Sequence, residues 1–269
     1  MDAGVGSVQA KPAATDGLNV ILLPGGTLPA GLAYGALIEA LGSEARCVPK
    51  DLEVYAGDEP QPEYSADMEI DGVLRVADEA GFDRFQLVGY SAGGLFALAT
   101  AVRHPDRVAG LGLVEFAPVR SLDTGPEGDA LWREFERLMT LPPEERGRAS
   151  SSMILKPGTQ PPARPAGPPP PWMAKRAAAY EPLMRATWLY PLDLEAVRGY
   201  HGPMYVALGS LSHESFERQT CRLAELCPQT EIEVYEGLHH LDPPHRAEPA
   251  RLSQSLLRTW SRAGATHAG

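Results

Sequence analysis

The sequence predicts an α/β fold: a mostly parallel central sheet with helices on both faces and an inserted helical lid. Three observations carry this expectation. Short apolar runs alternate with segments of helical periodicity along most of the chain. Most of those runs are apolar throughout, as strands covered on both faces are. The alternation stops between Val119 and Tyr200, where helical patterns and a proline-rich stretch occur, and then resumes. With 269 residues and a hydrophobic share of 43%, the chain can bury about 70–75% of its unfolded surface without a covalent staple.

Taken in order, residues 1–18 are small, polar and turn-forming and read as a disordered tail. They have no basic start and no apolar middle, so they do not read as a secretory signal. Asn19 to Leu23 is a buried strand closed by Pro24, Gly25 and Gly26. "AYGALIEALG" has helical spacing and stops at Gly42, and "ARCVPKDLEVY" is a second strand region. Ala66 to Ala80 carries a helical stripe of Met68, Val73, Val76 and Ala80, capped by Gly81. "RFQLVGY" is a strand, "AGGLFALATAVRHP" a helix ended by Pro105, and "RVAGLGLVEFAP" another buried strand.

Residues 119–200 are expected to form the lid, and 19–118 with 201–263 the core. Within the lid, "ALWREFERLMTL", "PPEERGRASSSMIL" and "WMAKRAAAYEPLMRATWLY" are helical in pattern. "KPGTQPPARPAGPPPPW" between the last two can form neither helix nor central strand. Trp132, Phe135, Trp172 and Trp188 give these helices apolar surface that needs a partner, which a mere linker would not have. After the lid, "GPMYVALGS" and "TEIEVYEG" are strands flanking the helical "HESFERQTCRLAELCP". The final helix has Pro249 in its first turn, where proline is tolerated.

Composition narrows the partners. A net charge of −11 repels phosphate backbones and anionic membrane surfaces, so neither nucleic acid nor membrane is expected. No stretch approaches the length of apolar residues that spans a bilayer. The expected compartment is the cytoplasm. Cys47, Cys221 and Cys227 form no disulfide framework and are read as reduced.

The chemistry begins at "GYSAG", Gly89 to Gly93, between a strand and a helix. This fits the G-x-S-x-G nucleophile elbow, in which a sharp turn lifts the serine hydroxyl clear of the sheet. Only hydrogen as a side chain two residues before and after Ser91 lets strand and helix approach that closely. The helix start aims free amide groups at the place where negative charge develops. A serine alone is a poor nucleophile and needs a base. "EGLHHLDPPHRAEP", between the last strand and the last helix, offers His239, His240 and His245.

With these residues the chain resembles the α/β-hydrolase family, from about Asn19 to the final helix. The resemblance implies a serine–acid–histidine order, with the histidine last, and no metal or organic cofactor. His240, followed by Leu241, matches the pattern of relatives better than His239. A metal cluster of His239, His240, Asp242 and His245 is the rival reading, disfavoured by its proline-broken spacing. The family usually places an aspartate after the strand that here reads "MYVALGS", but Ser212 stands near that position.

Glu115, at the carboxyl end of "LGLVEFAP", is the preferred acid, because a carboxylate in so apolar a strand is costly without a role. Some haloalkane dehalogenases carry a triad glutamate after this strand. Asp242 and Asp193 are reserve candidates, and a dyad assisted by Ser212 is a further reading. The oxyanion hole falls to the N–H groups of Gly26, in "LLPGGT", and Ala92.

The expected activity is hydrolysis of an ester, thioester, lactone or related acyl bond through Ser91, His240 and Glu115. Acyl transfer, carbon–carbon bond hydrolysis and non-catalytic small-molecule binding are the alternatives. Halide displacement and epoxide opening are disfavoured, since those relatives use an aspartate where this chain has Ser91. Trp132, Trp172, Trp188, Met153, Met173 and Met184 hint at a partly hydrophobic small-molecule acyl substrate, though such residues more often merely form lid core.

Overall fold

A computed structural model describes residues 17–142, 145–146, 149–163 and 167–266. Nearly all of the expected tail, residues 1–16, therefore lies outside the described residues. Six strands form one all-parallel sheet: β1 (Leu18–Leu23), β2 (Ala45–Pro49), β3 (Phe85–Tyr90), β4 (Val108–Val114), β5 (Met204–Gly209) and β6 (Thr230–Tyr235). Their spatial order is β2-β1-β3-β4-β5-β6. Order reverses beside β1, so the carboxyl ends of β1 and β3 border the crevice where open parallel sheets place their functional groups.

Alternation along each central strand divides the apolar residues between two layers. Val20, Leu22, Val88, Tyr205 and Ala207 face one layer, with Tyr34, Leu37, Leu252 and Trp260. These come from α1 (Ala30–Leu41) and the final helix, which runs over Pro249–Thr266. Ile21, Leu23, Leu87, Met204 and Val206 face the other layer. It is built by α2 (Ala66–Ala80), α3 (Ala92–Arg103) and a helix over Glu214–Leu226. On the edge strand β6 only Tyr235 is buried, and Ile232 and Val234 are 42% and 52% exposed.

Two local readings shift. The strand region after α1 stops at Pro49, and Glu53–Tyr55 is a single 3-10 turn. In α2 the buried stripe is Glu69, Ile70, Val73 and Ala77, rotated from the purely apolar pattern. The reason is Glu69, which turns inward to an ion pair with Lys50 (3.4 Å) and a hydrogen bond from the Tyr64 hydroxyl (2.8 Å). Gly81 does cap α2, at φ 71°, and Phe82 N–H returns to the Ala77 carbonyl at 2.8 Å.

Between β4 and β5 the described residues include the helices α4 (Pro126–Thr140), α5 (Ser151–Ile154), α6 (Ala174–Trp188) and α7 (Leu194–Arg198). Described residues of the proline-rich stretch before Pro171 form no helix. Phe135 stacks on Trp188 at 4.9 Å, and Trp132 meets Trp188 edge-on at 5.6 Å. With Leu131, Leu138 and Met153 they form a separate apolar cluster. After β5 come α8 (Glu214–Leu226), a short α9 (Pro244–Ala247) and α10 (Pro249–Thr266). No helix of the described residues is long and apolar enough to cross a membrane.

Candidate active site

Ser91 joins β3 to α3 at φ 54°, ψ −121°, a backbone region costly for any side chain. Its neighbours explain how the turn closes. A Cβ on Gly89 would lie 2.1 Å from the Gly93 carbonyl oxygen, and one on Gly93 would lie 2.4 Å from that of Leu23. Both approaches are shorter than any real Cβ contact, so hydrogen is required at each position. Gly94 obeys the same constraint, with Phe116 Cβ 2.6 Å from where its own Cβ would stand. Only one other described non-glycine residue has positive φ: Glu115, at φ 48°, directly after β4.

The two turns are bonded together. Ser91 N–H donates to the Val114 carbonyl (3.2 Å), and Ala117 N–H donates to the Ser91 carbonyl (2.9 Å). Ala92 is the first residue of α3, so its N–H has no carbonyl one turn behind it. Gly26, from the loop after β1, lines the same cavity as Ser91, Ala92 and His240.

His240 comes from the loop between β6 and α9, and its Nε2 lies 3.0 Å from Ser91 Oγ. Its ring packs against Phe216 (4.8 Å) and Tyr90 (5.2 Å), and the Tyr90 hydroxyl donates to its own carbonyl. A neutral imidazole that accepts at Nε2 carries its proton on Nδ1. Nδ1 lies 3.4 Å from Glu115 Oε2 and makes no better-aligned hydrogen bond. Such contacts are commonly long without substrate and shorten when charge develops.

The Glu115 side chain is fully buried. Ser212 Oγ stands 2.8 Å from both carboxylate oxygens, and the Gly209 N–H donates to Oε1. These donors satisfy a charge that burial would otherwise penalise. Ser212 thus occupies the neighbourhood where relatives carry an aspartate, and it serves as a donor to a carboxylate arriving from the adjacent strand.

The reserve acids are engaged or turned away. Asp193 caps α7, accepting from Glu195 N–H (2.9 Å) and Ala196 N–H (3.2 Å). Asp242 is exposed. His239 turns Nδ1 to the N–H groups of Leu241 (3.2 Å) and Asp242 (3.1 Å) in its own loop. His245, in α9, is fully buried between Tyr34 (4.8 Å) and Tyr90 (4.7 Å), and neither ring nitrogen has a partner. Burial pushes its pKa down to about 3, assisted by the charge of Arg246 and the nearby His240.

The cavity above Ser91 has a volume of about 520 Å³. Its walls include Ile154, Met173, Leu183, Met184 and Trp188 from the segment between β4 and β5. Trp132 and Met153 instead belong to that segment's own core, and Trp172 is half-buried. Two cavity residues carry no sequence signal. Tyr55 donates its hydroxyl to the Gly26 carbonyl at 2.6 Å, and Arg176 lies over the Tyr55 ring, 3.4 Å from its centroid. Both depend on contacts between segments far apart in the chain, which no local pattern reveals.

Comparison with known proteins supports the same fold. A family model described as the alpha/beta hydrolase fold matches residues 19–139. A 2-hydroxymuconate semialdehyde hydrolase of Pseudomonas sp. (strain CF600) is 39% identical over 86 residues, a match spanning 29% of this chain and 30% of that protein. The meta-cleavage product hydrolase CumD of Pseudomonas fluorescens IP01 superposes with a TM-score of 0.63 at 21% identity, over 92% of each chain. A structure from work on the carboxylesterases of Nitrososphaera gargenis gives a TM-score of 0.67 at 16% identity, over 94% of this chain and 93% of that one. By its parallel sheet, its serine-bearing elbow and these similarities, this chain has the α/β-hydrolase fold.

Proposed function

We propose that the chain is a serine hydrolase of ester, thioester, lactone or related acyl bonds, with Ser91 as nucleophile, His240 as base and Glu115 as the orienting acid. The observation that carries this reading is Ser91 Oγ, raised by a positive-φ turn and 3.0 Å from His240 Nε2. Ser91 Oγ attacks the acyl carbonyl while its proton passes to His240 Nε2. The carbonyl electron pair moves onto oxygen, where the N–H groups of Gly26 and Ala92 receive the charge. Collapse of this intermediate expels the leaving group, which takes the proton from His240. Water then attacks the acyl-enzyme by the same route and frees Ser91. Throughout, Glu115 keeps the imidazole oriented and stabilises its charged form.

A second reading, hydrolysis of a carbon–carbon bond next to a carbonyl, draws on the local match to the 2-hydroxymuconate semialdehyde hydrolase. In both readings residues 119–200 act as a lid whose inner side forms the substrate cavity. Ser91→Ala tests the shared core of the proposal. Labelling of the wild type by a serine-directed fluorophosphonate, lost in the variant, is the expected result. Undiminished labelling of the variant, or an unreactive wild type, overturns it. A panel of esters, thioesters, lactones and vinylogous diketones then separates the two chemistries.

A further inference from the structure

One cation in the cavity is not used by the chemistry above. Arg176, near the start of α6, lines the same cavity as Ser91 and His240. Its guanidinium lies over the Tyr55 ring, 3.4 Å from the centroid, and 5.6 Å from the Trp172 centroid. Nε and Nη1 are buried with no hydrogen-bond partner, the guanidinium has a polar interaction with the Tyr55 hydroxyl, and among the described residues no carboxylate pairs with it. The neighbouring cations are engaged. Lys175 pairs with Asp58 (3.3 Å) and donates to the Gly57 carbonyl (2.8 Å), while Arg185 pairs with Glu181 (3.1 Å).

A guanidinium stays charged at any physiological pH, and withdrawing it from water without an anion is unfavourable. Its place over the Tyr55 ring recovers part of that penalty. Neither the stacking nor the Tyr55 hydroxyl gives Nε and Nη1 an acceptor. The chain's overall charge of −11 repels anions at a distance, so an anion reaching this cavity must be recognised by direct contact. The cavity's other polar walls, among them Thr27, Ser151 and Tyr180, carry no positive charge.

We propose that the substrate carries a carboxylate that Arg176 receives while the scissile carbonyl lies at Ser91. The substrate class is then an acyl compound with an apolar middle and an anionic end, as in a half-ester of a dicarboxylic acid. This rests on the serine-hydrolase reading. Tyr55 gives the contact a further consequence, because the ring that carries the guanidinium also holds the Gly26 carbonyl at 2.6 Å. Charge recognition and the oxyanion loop therefore share one side chain.

The test compares the ratio of kcat/KM for anionic over neutral chromogenic esters in wild type, Arg176→Met and Arg176→Lys. Butyrate and hexanoate esters are the neutral probes. Half-esters of succinate, glutarate and adipate carry the charge on the acyl side, and esters of 4-hydroxybenzoate carry it on the leaving side. The wild type is expected to favour at least one anionic series. Arg176→Met should lower that ratio by about 10–100-fold, the range of a charged hydrogen-bonded contact, and Arg176→Lys should restore part of it. A wild type that prefers neutral esters throughout overturns the proposal. So does an Arg176→Met variant in which both classes fall together, since Arg176 would then only strap α6 to Tyr55. Fluorophosphonate labelling of the wild type, run in parallel, separates the two failures. Labelling without charge preference sinks this inference alone, whereas no labelling sinks the hydrolase reading beneath it.

Discussion

His245 makes the fold sensitive to acid in a way that can be calculated. Its ring is fully buried, both nitrogens lack partners, and burial holds its pKa down to about 3. In the unfolded chain the same group titrates near about 6.5. Above that pH neither state binds the proton and His245 contributes no pH dependence. Below it the unfolded chain takes up a proton that the folded chain refuses, so stability falls until the pH nears 3. Between pH 7 and pH 5 the loss from this one group is about 2 kcal/mol. His245→Leu, close in volume and unable to titrate, removes that loss, and its packing cost is the same at every pH. Urea unfolding of both proteins at pH 7, 6 and 5 isolates the effect, because the other titrating groups cancel in the difference. The stability gap should move by about 2 kcal/mol toward the variant across that interval. Parallel curves would refute the argument and mean that the ring finds a proton acceptor in the fold.

Three further outcomes test the site. Glu115→Gln should lower kcat by about 10²–10⁴, with Ser91 still labelled by the phosphonate but more slowly, while Asp242→Asn, at an exposed position, should cost far less; a crippled Asp242→Asn beside a nearly silent Glu115→Gln would reassign the acid. Ser212→Ala removes a donor to the buried carboxylate and should cost about 1–2 kcal/mol of stability, read by urea midpoint, with a smaller loss of kcat than Glu115→Gln. Tyr55→Phe frees the Gly26 carbonyl and should lower kcat for neutral esters by about 3–10-fold, the worth of one neutral hydrogen bond; unchanged kcat would mean that the loop after β1 holds its shape without Tyr55.

The elbow was legible because its constraints are local. Gly89, Ser91 and Gly93 stand within five residues, and the clash distances at Gly89 and Gly93 arise from the immediate turn and the neighbouring β1 end. The strand–helix alternation was legible for the same reason, since each central strand is buried on both faces. Glu115 stands out in the sequence for a different reason, the cost of leaving a carboxylate in an apolar strand. What surrounds it was not readable. Ser212 lies 97 residues away in sequence, and nothing in "LSHESF" announces a donor to Glu115. Tyr55 and Arg176 meet across the inserted segment, and Glu69 joined the buried stripe of α2 only because Lys50 waits beneath it. In each case tertiary pairing overrode the local pattern.

The mutual bonding of the two positive-φ turns has a consequence for how this molecule fails. Ser91 donates to the residue before Glu115, and its own carbonyl receives the N–H of Ala117. Neither turn can relax toward an ordinary backbone conformation without breaking the other's support. A partial opening at this edge of the sheet would therefore withdraw the Ser91 hydroxyl and the Glu115 carboxylate in one step, leaving no population in which one is misplaced and the other intact. Thermal inactivation should then follow a single opening event. The amide protons of Ser91 and Ala117 should exchange with solvent at a common rate, and phosphonate reactivity should vanish along the same curve.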